Sequence, residues 1–338
     1  MSGAPVALDR RRVLAWRGAV HGLTTRSRRL ADLAVLRLGV QDSPPGSLRA
    51  AVAARLESPP GPDEPLGKGY DVVWSHRGAP HLHPTDGLPA LAAACWPASD
   101  ADAATRLGWQ RARLVAGGMA GLTARQAIRT VAEAVGRVLA DGPRPKGELS
   151  AEVTALVPEP LSPYCRPCGT RHVGEQLLRL AGLPGGARLR PGTKPLVAEA
   201  LPGWPGPPEE GDPAPVVAAY LELFGPAAPA DLASFVGTSV RVVREALPED
   251  LVAVTVDGRA ALCLPGLVEE LSEPAEPAGV VRLVPPSDPF LQARDRETLL
   301  PDAARRTQVW RSIGLPGAIL VDGEIGRASC RERVLTDV

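Results

Sequence analysis

One order of segments, short helices followed by a β-hairpin, recurs three times along the 338-residue chain and constrains its fold more than any other feature. The helical segments, which space apolar residues with a helical period, are 10–38 (broken near Gly22), 48–56, 122–139, 146–156, 169–180, 216–223, 229–236 and 238–247. The hairpin segments, which alternate around turn residues, are 70–83, 188–197 and 251–264. Three rounds of one order indicate a repeated unit more strongly than any single round.

Helices followed by a β-hairpin are the order of a winged helix. The predicted fold is therefore mainly α with β-hairpin wings: three tandem winged-helix units and a C-terminal β-rich element. The predicted domains are a first winged-helix unit at 1–118 with its hairpin at 70–83, a second at 119–205, a third at 214–268, and the β-rich element at 279–324.

The last residues resemble a cloning product. The stretch EIGRASCRERV (324–334) resembles the peptide translated from a sequencing adapter. We expect residues 325–338 to be non-native, Cys330 to have no biological role, and the β-rich element to be truncated.

Charge is balanced over the whole chain but unevenly distributed. Lys plus Arg and Asp plus Glu are both 38, so a protein that holds polyanions by bulk charge is excluded. Residues 1–60 nevertheless carry a net +6 and residues 200–280 a net −10. We expect nucleic acid to meet the N-terminal part of the chain.

The sequence predicts a cytoplasmic protein. No apolar run approaches the ~20 residues that a membrane span needs, and the N-terminus lacks a signal-peptide core. Five cysteines in a chain of this length do not form a disulfide scaffold. Phosphate-loop and metalloprotease motifs do not occur, so we expect neither a nucleotide cofactor nor any other cofactor.

A winged-helix fold supplies a way to contact double-stranded DNA. One helix of such a unit enters the major groove while the wing touches phosphates. The candidate contacts are Arg77 and His81 near the turn of the 70–83 hairpin, with Arg49 and Arg55 in the helix at 48–56.

Five stretches carry a family resemblance, and they span nearly the whole chain. They are LGVQDSPPGSLRAAVAARL (38–56), VVWSHRGAPHLH (72–83), YCRPCGTRHV (164–173), LFGPAAPADLASFVG (223–237) and VRLVPPSDPFLQARDR (281–296). Together they resemble the winged-helix DNA-binding superfamily that contains the AlkZ-type DNA glycosylases. The resemblance implies tandem winged helices and a concave surface for duplex DNA.

In the glycosylase members, the resemblance implies, a Gln-x-Gln or Gln-x-Asp pair positions water against the glycosidic carbon of an alkylated nucleotide. If Gln41 is the second member, the first is Gly39, which has no side chain to hold water. If Gln41 is the first member, the second is Ser43. Gln41 and Asp42 are the catalytic candidates, but Gln41 also fits a capping or phosphate-binding role, and Asp42 fits a cap of the Pro-Pro turn.

Cys165, Cys168 and His172 have a spacing that suits zinc. A structural zinc site takes four ligands, however, and the chain has no second Cys-x-x-Cys pair. We expect small buried thiols in a turn that starts a helix, and no metal.

These observations favour a DNA-binding protein of the tandem winged-helix type that contacts duplex DNA mainly through its first unit. The alternative is a DNA glycosylase that hydrolyses the N-glycosidic bond of alkylated or crosslinked bases, with Gln41 positioning water. A transcriptional regulator is a further alternative. Whether the protein is an enzyme stays open, because Gly39 occupies one possible position of the glutamine pair.

Overall fold

The computed structural model describes residues 5–61, 64–108, 110–116, 118–272, 279–311 and 315–329. Its α-helices are α1 (Arg10–Val20), α2 (Ser47–Ala53), α3 (Leu88–Cys95), α4 (Asp100–Arg106), α5 (Gln110–Ala116), α6 (Ala124–Ala140), α7 (Lys146–Leu156), α8 (Glu175–Gly182), α9 (Ala214–Phe224), α10 (Pro229–Val236), α11 (Val240–Glu245), α12 (Pro265–Ser272), α13 (Arg296–Leu299) and α14 (Ala303–Val309). Its strands are β1 (Val6–Leu8), β2 (Val40–Gln41), β3 (Tyr70–Trp74), β4 (Pro80–Pro84), β5 (Arg144–Pro145), β6 (Tyr164–Cys165), β7 (Thr170–Arg171), β8 (Ala187–Arg190), β9 (Val197–Ala200), β10 (Val252–Val256), β11 (Arg259–Cys263), β12 (Val281–Val284), β13 (Gly317–Val321) and β14 (Glu324–Ser329).

These elements belong to two compact units. Lobe 1 comprises Met1–Leu66, Tyr220–Asp231 and Glu249–Val338. Lobe 2 comprises Gly67–Ala219 and Leu232–Pro248. The division follows spatial contact, so each lobe draws on stretches that are distant in sequence.

Two three-stranded sheets lie in lobe 1. In the first, β1 pairs in parallel with β10, which pairs antiparallel with β11 across the turn at Asp257 and Gly258. Both turn residues have positive φ, 45° and 84°, as a two-residue hairpin turn requires. Its apolar side packs with α1 and α12 in a cluster around Val13, Val254 and Leu267. The second sheet is antiparallel, in the order β12-β13-β14.

Lobe 2 contains a sheet with the strand order β4-β3-β8-β9-β5. The β3–β4 hairpin joins the β8–β9 hairpin through the pair Val72 and Leu189. The long helix α6 starts with a capping box between Thr123 and Gln126. Its buried face packs against α7 and α8 and supplies much of the core of this lobe.

The elements coincide with most of the segments that the sequence indicates, with two differences. The helical pattern at 10–38 is a helix only as far as Val20, followed by single 3-10 turns at Leu30–Asp32 and Ala34–Arg37. The segment 169–180 is helical only from Glu175, because β6 and β7 form a small hairpin before it. The three winged-helix units and their boundaries stay predictions.

Among the described residues, no helix is both long enough and apolar enough to cross a membrane. The first residues of the adapter-like stretch lie in β14, and residues 330–338, including Cys330, lie outside the described residues.

Candidate functional site

Gln41 ends β2 and is fixed by its neighbours on both sides. Val40 before it is fully buried, and Asp42 after it accepts hydrogen bonds on Oδ1 from the backbone N–H groups of Gly46 (2.8 Å) and Leu48 (3.3 Å). The carboxylate thus closes the turn that leads into α2. Gln41 itself is half-buried.

Positions 39 and 43, the two possible partners of Gln41, differ in backbone conformation and in side chain. Gly39 is buried with φ +83°, a left-handed conformation that disfavours any other side chain. A glutamine at position 39 would therefore strain this backbone. Ser43, the partner in the other register, is half-buried and carries a hydroxyl group.

A buried ion pair anchors α2, the helix that follows Gln41. Arg55 donates to both carboxylate oxygens of Asp288 at 2.7 and 2.8 Å, and to the carbonyls of His21 and Ala51 at 2.8 Å each. Asp288 also accepts from the N–H of Phe290 at 2.9 Å and thereby caps the 3-10 turn Pro289–Gln292. The pair joins the segment 38–56 to the segment 281–296. Arg55 is buried within lobe 1, so its side chain is engaged there and away from solvent.

A second buried arginine connects other parts of lobe 1. Arg17 forms an ion pair with Asp295 at 2.8 Å and donates to the carbonyls of Gly225 (3.4 Å) and Pro226 (3.0 Å). Sequence reasoning missed this connection, because the sequence does not distinguish a buried arginine from an exposed one.

The remaining candidate contacts for DNA lie in both lobes. Arg49, in lobe 1, is half-buried and donates to the carbonyls of Gly61 (2.9 Å) and Glu64 (2.6 Å). Arg77, in lobe 2, donates to the carbonyl of Phe235 and lies over its ring, 5.2 Å from the centroid.

His81, the other candidate in the hairpin, is buried in lobe 2. Its Nδ1 donates to the carbonyl of Ala79 at 3.0 Å and contacts the hydroxyl of Ser75 at 2.9 Å. Burial, followed by the nearby His83 and Arg77, holds the pKa of His81 well below its usual value. The imidazole is therefore neutral at physiological pH.

Lobe 1 also contains a basic depression that sequence reasoning missed. It has a volume of about 400 Å³, and its lining includes the side chains Arg259, Arg294, Arg296, Arg306 and Trp310. The guanidinium of Arg296 stacks on Trp310 at 5.1 Å. The signal that could have found it is the ARDR stretch at 293–296, inside one of the five family-like segments.

One cluster of potential metal ligands occurs among the described residues. The ligand atoms of Cys165, Cys168 and His172 all lie within 4.8 Å of one another. The expectation of buried thiols at a helix start does not describe this cluster: Cys165 is half-buried in β6, and Cys168 is exposed in the hairpin turn.

One family model and one solved structure match this chain. The family model described as "DNA glycosylase AlkZ-like" matches residues 35–336. The solved structure of the Streptomyces sahachiroi DNA glycosylase AlkZ has a similar fold, with a TM-score of 0.69 and 22% sequence identity. That alignment covers 95% of this chain and 87% of the other. A search of curated proteins gave no significant match.

The family match corrects the main expectation from sequence. The sequence favours a plain DNA-binding protein, and that interpretation is wrong, because the matching family model describes DNA glycosylases of the AlkZ-like kind. The family match favours the alternative, a DNA glycosylase.

Proposed function

Since the chain belongs to the AlkZ-like DNA glycosylase family, we propose that it hydrolyses the N-glycosidic bond between a modified base and deoxyribose in DNA. Water adds to the sugar carbon, and the free base leaves an abasic site behind. The observation that carries the proposal is the family match from residue 35 to residue 336, which contains both the Gln41 segment and the basic depression.

Gln41 is the side chain that orients the water. An alkylated purine is cationic and leaves readily, so a neutral amide in the right place suffices without a strong base. The end of β2 is suited to this role, because the buried Val40 and the turn closed by Asp42 restrict the backbone on either side of Gln41. In this proposal, the partner of Gln41 is Ser43, because Gly39 has no side chain.

Asp42 acts as a positioning residue. Its Oδ1 atom accepts two backbone hydrogen bonds, and both stabilise the turn directly after Gln41. A carboxylate used in this way holds the loop in place and need not accept a proton from water.

Double-stranded DNA is the proposed substrate, and the basic depression is its proposed phosphate contact in lobe 1. Four guanidinium groups line it, of which that of Arg259 pairs with Asp231, and the acidic side chains in its lining are Asp295, which pairs with Arg17, and Glu297. Arginine is well suited to phosphate because it donates two parallel hydrogen bonds. Arg49 and Arg77 stay in the proposal as further contacts, and binding through either requires the side chain to leave its present carbonyl partner. The expected contact through His81 is dropped, because this side chain is buried and neutral. We further propose that the fold is three tandem winged helices and that the enzyme works in the cytoplasm.

The decisive experiment measures abasic sites in duplex DNA that contains N7-methylguanine. We expect wild-type protein to produce them and Gln41→Ala to be slower by about 100-fold, the usual scale of the loss when a reactant is misplaced. Gln308→Ala is the matched control, because Gln308 is exposed on α14. Absence of product from the folded wild-type protein, with alkylated and crosslinked substrates alike, would contradict the proposed activity.

A separate experiment tests the phosphate contact. We expect Arg296→Ala to weaken binding to duplex DNA and to lower the slope of log affinity against log salt by about 1, because one phosphate contact is lost. Arg241→Ala is the control: this arginine is exposed on α11 in lobe 2 and pairs with Glu245. Equal salt slopes for Arg296→Ala and wild type would remove the depression from the interface.

A further inference from the structure

We propose that Cys165, Cys168 and His172 bind a zinc ion, with water as the fourth ligand. This site is independent of the proposed glycosylase activity. It lies in lobe 2, whereas Gln41 and the basic depression lie in lobe 1.

The spacing of the ligand atoms is the first argument. Two sulfur atoms and one imidazole nitrogen lie within 4.8 Å of one another. In a tetrahedral site with Zn–S of ~2.3 Å and Zn–N of ~2.0 Å, ligand atoms are separated by roughly 3.5–4 Å. A contraction of at most about 1.3 Å would complete the site, and side-chain rotation can supply it.

The hairpin backbone is the second argument. Cys165 ends β6 and pairs with Thr170 of β7, which brings Cys168 to the turn. Gly169 follows with φ +65°, a conformation that suits glycine, and its N–H donates to the carbonyl of Arg166 at 3.3 Å. This turn therefore keeps Cys165 and Cys168 together in one short loop.

The orientation of His172 is the third argument. Its Nδ1 lies 2.8 Å from the carbonyl of Val173, and since a carbonyl only accepts, Nδ1 carries the proton. The lone pair is therefore on Nε2, which is the nitrogen available to a metal. Metal-binding histidines commonly use a backbone carbonyl in this way to fix the tautomer and the ring. The N–H of Val173 in turn donates to Thr154 of α7 at 2.9 Å, which anchors the residue after His172.

The fourth argument is that the hairpin is short and exposed. Each of its strands has two residues, and Tyr164 at its start is 56% exposed. A hairpin this short is at best marginally stable alone, and small exposed modules are commonly held by metals or disulfides. Two thiolates balance the charge of Zn²⁺, and the exposed position leaves the fourth ligand site open to water. Cys₂His plus water is the ligand set of zinc sites that keep one position open, so this site differs from the closed four-ligand structural type.

Metal content tests the proposal. We would purify the untagged full chain without a metal-affinity step and measure zinc and free thiols in the same sample. We expect about one zinc ion per chain. In cobalt-exchanged protein, we expect the near-ultraviolet absorption of a thiolate–cobalt bond. Cys165→Ser and His172→Gln are expected to lose zinc, while Cys95→Ser, which changes a half-buried cysteine outside the cluster, retains it.

A variant that exchanges one zinc-binding side chain for another keeps the test valid if a variant that removes a ligand fails to fold. Cys168→His replaces one zinc ligand with another, and we expect it to retain the metal with a cobalt spectrum typical of one thiolate. Metal-free wild type with Cys165 and Cys168 reduced, or with a disulfide between them, would overturn the proposal. So would zinc that survives the combined loss of Cys165, Cys168 and His172.

Discussion

Individual arginines in this chain differ in their environment. Some are buried in ion pairs and others line a surface depression, and the residue type alone does not show which. Arg55 and Arg17 are buried in lobe 1 and are held by Asp288 and Asp295. Arg296, by contrast, lines an open basic depression. A buried guanidinium must have its donors satisfied and its charge compensated, so each buried arginine requires a carboxylate at one specific place.

The Arg55–Asp288 pair gives a prediction about stability. We expect Arg55→Met to lower the free energy of unfolding by about 3–5 kcal/mol, because the carboxylate of Asp288 would stay buried without its countercharge. Urea denaturation measures this. The double variant Arg55→Met/Asp288→Asn is expected to recover part of the loss, since it removes both charges and keeps a side-chain oxygen at position 288.

An exposed pair is the control for that measurement. Arg37 and Glu222 form an ion pair in lobe 1 with the arginine side chain 58% exposed. Arg37→Ala should cost no more than about 1 kcal/mol, as is usual for pairs in solvent. Similar losses from Arg55→Met and Arg37→Ala would contradict a stabilising role for the buried pair.

Substitutions of Asp42 distinguish a role in holding the turn after Gln41 from a role as a general base. Asn retains an oxygen that can accept the hydrogen bonds from Gly46 and Leu48, whereas Ala does not. We expect Asp42→Asn to keep base-excision activity within about tenfold of wild type and Asp42→Ala to lose more than Asp42→Asn. If Asp42→Asn abolished activity while its thermal stability stayed that of wild type, Asp42 would be the general base.

A few glycines allow one element to pack very closely against its neighbour. Gly182 at the end of α8 lies against Trp74 of β3: a Cβ atom there would be 2.5 Å from the indole ring. The close contact lets α8 cover the sheet that contains β3 and β8. The need for glycine at this position comes from the neighbouring strand, so the spacing of apolar residues along α8 does not predict it.

We expect Gly182→Ala to destabilise lobe 2 by about 1–3 kcal/mol, because the added methyl group overlaps a buried ring. Gly147→Ala in α7 is the matched control. A Cβ atom at position 147 meets nothing within 4 Å, so this change should be neutral or stabilise by up to ~1 kcal/mol. Thermal unfolding of the two variants beside wild type checks the difference in sign.

At the scale of the whole molecule, buried histidines in both lobes set the response to acid. His21 lies in lobe 1, where burial, with Arg55 and Arg17 nearby, holds its pKa well below the usual value. His81 and His83 lie in lobe 2; burial lowers the pKa of His83 to about 3. All three are neutral in the folded protein, whereas the unfolded chain binds protons near pH 6.5.

The folded protein is therefore expected to lose stability as the pH falls below about 6.5. Above that pH the histidines are neutral in both states and contribute no pH dependence. Between pH 7.5 and 5.5 each one should cost about 1.4 kcal/mol, or about 4 kcal/mol for three, while most carboxylates stay ionised. Urea denaturation at the two pH values measures this, and His83→Gln should reduce the difference by about 1.4 kcal/mol. Equal stability at both pH values would contradict the prediction.

The local pattern of the sequence determined many of the elements in this protein, although it indicated none of the helices between 88 and 116. Apolar spacing indicated α6 and α7, and the Asp257-Gly258 pair indicated the turn between β10 and β11, because helical period and turn chemistry are properties of adjacent residues. The sequence failed at 169–174, where the short β6–β7 hairpin has too few residues to show a period. The stretch around Gln41 was identified by resemblance, and Gln41 lies within the matched range of the family.

Only the tertiary structure decided how these pieces combine. It joined β3 to β8, so that two hairpins far apart in the chain share one sheet, and it buried Arg55 against Asp288, 233 positions away. It also gathered Arg259 and Arg296 into one depression. These are contacts between residues that are distant in sequence, and a local sequence pattern does not predict which distant residues come into contact. Burial, pairing of charges and the exposure of a site are therefore properties of the folded molecule.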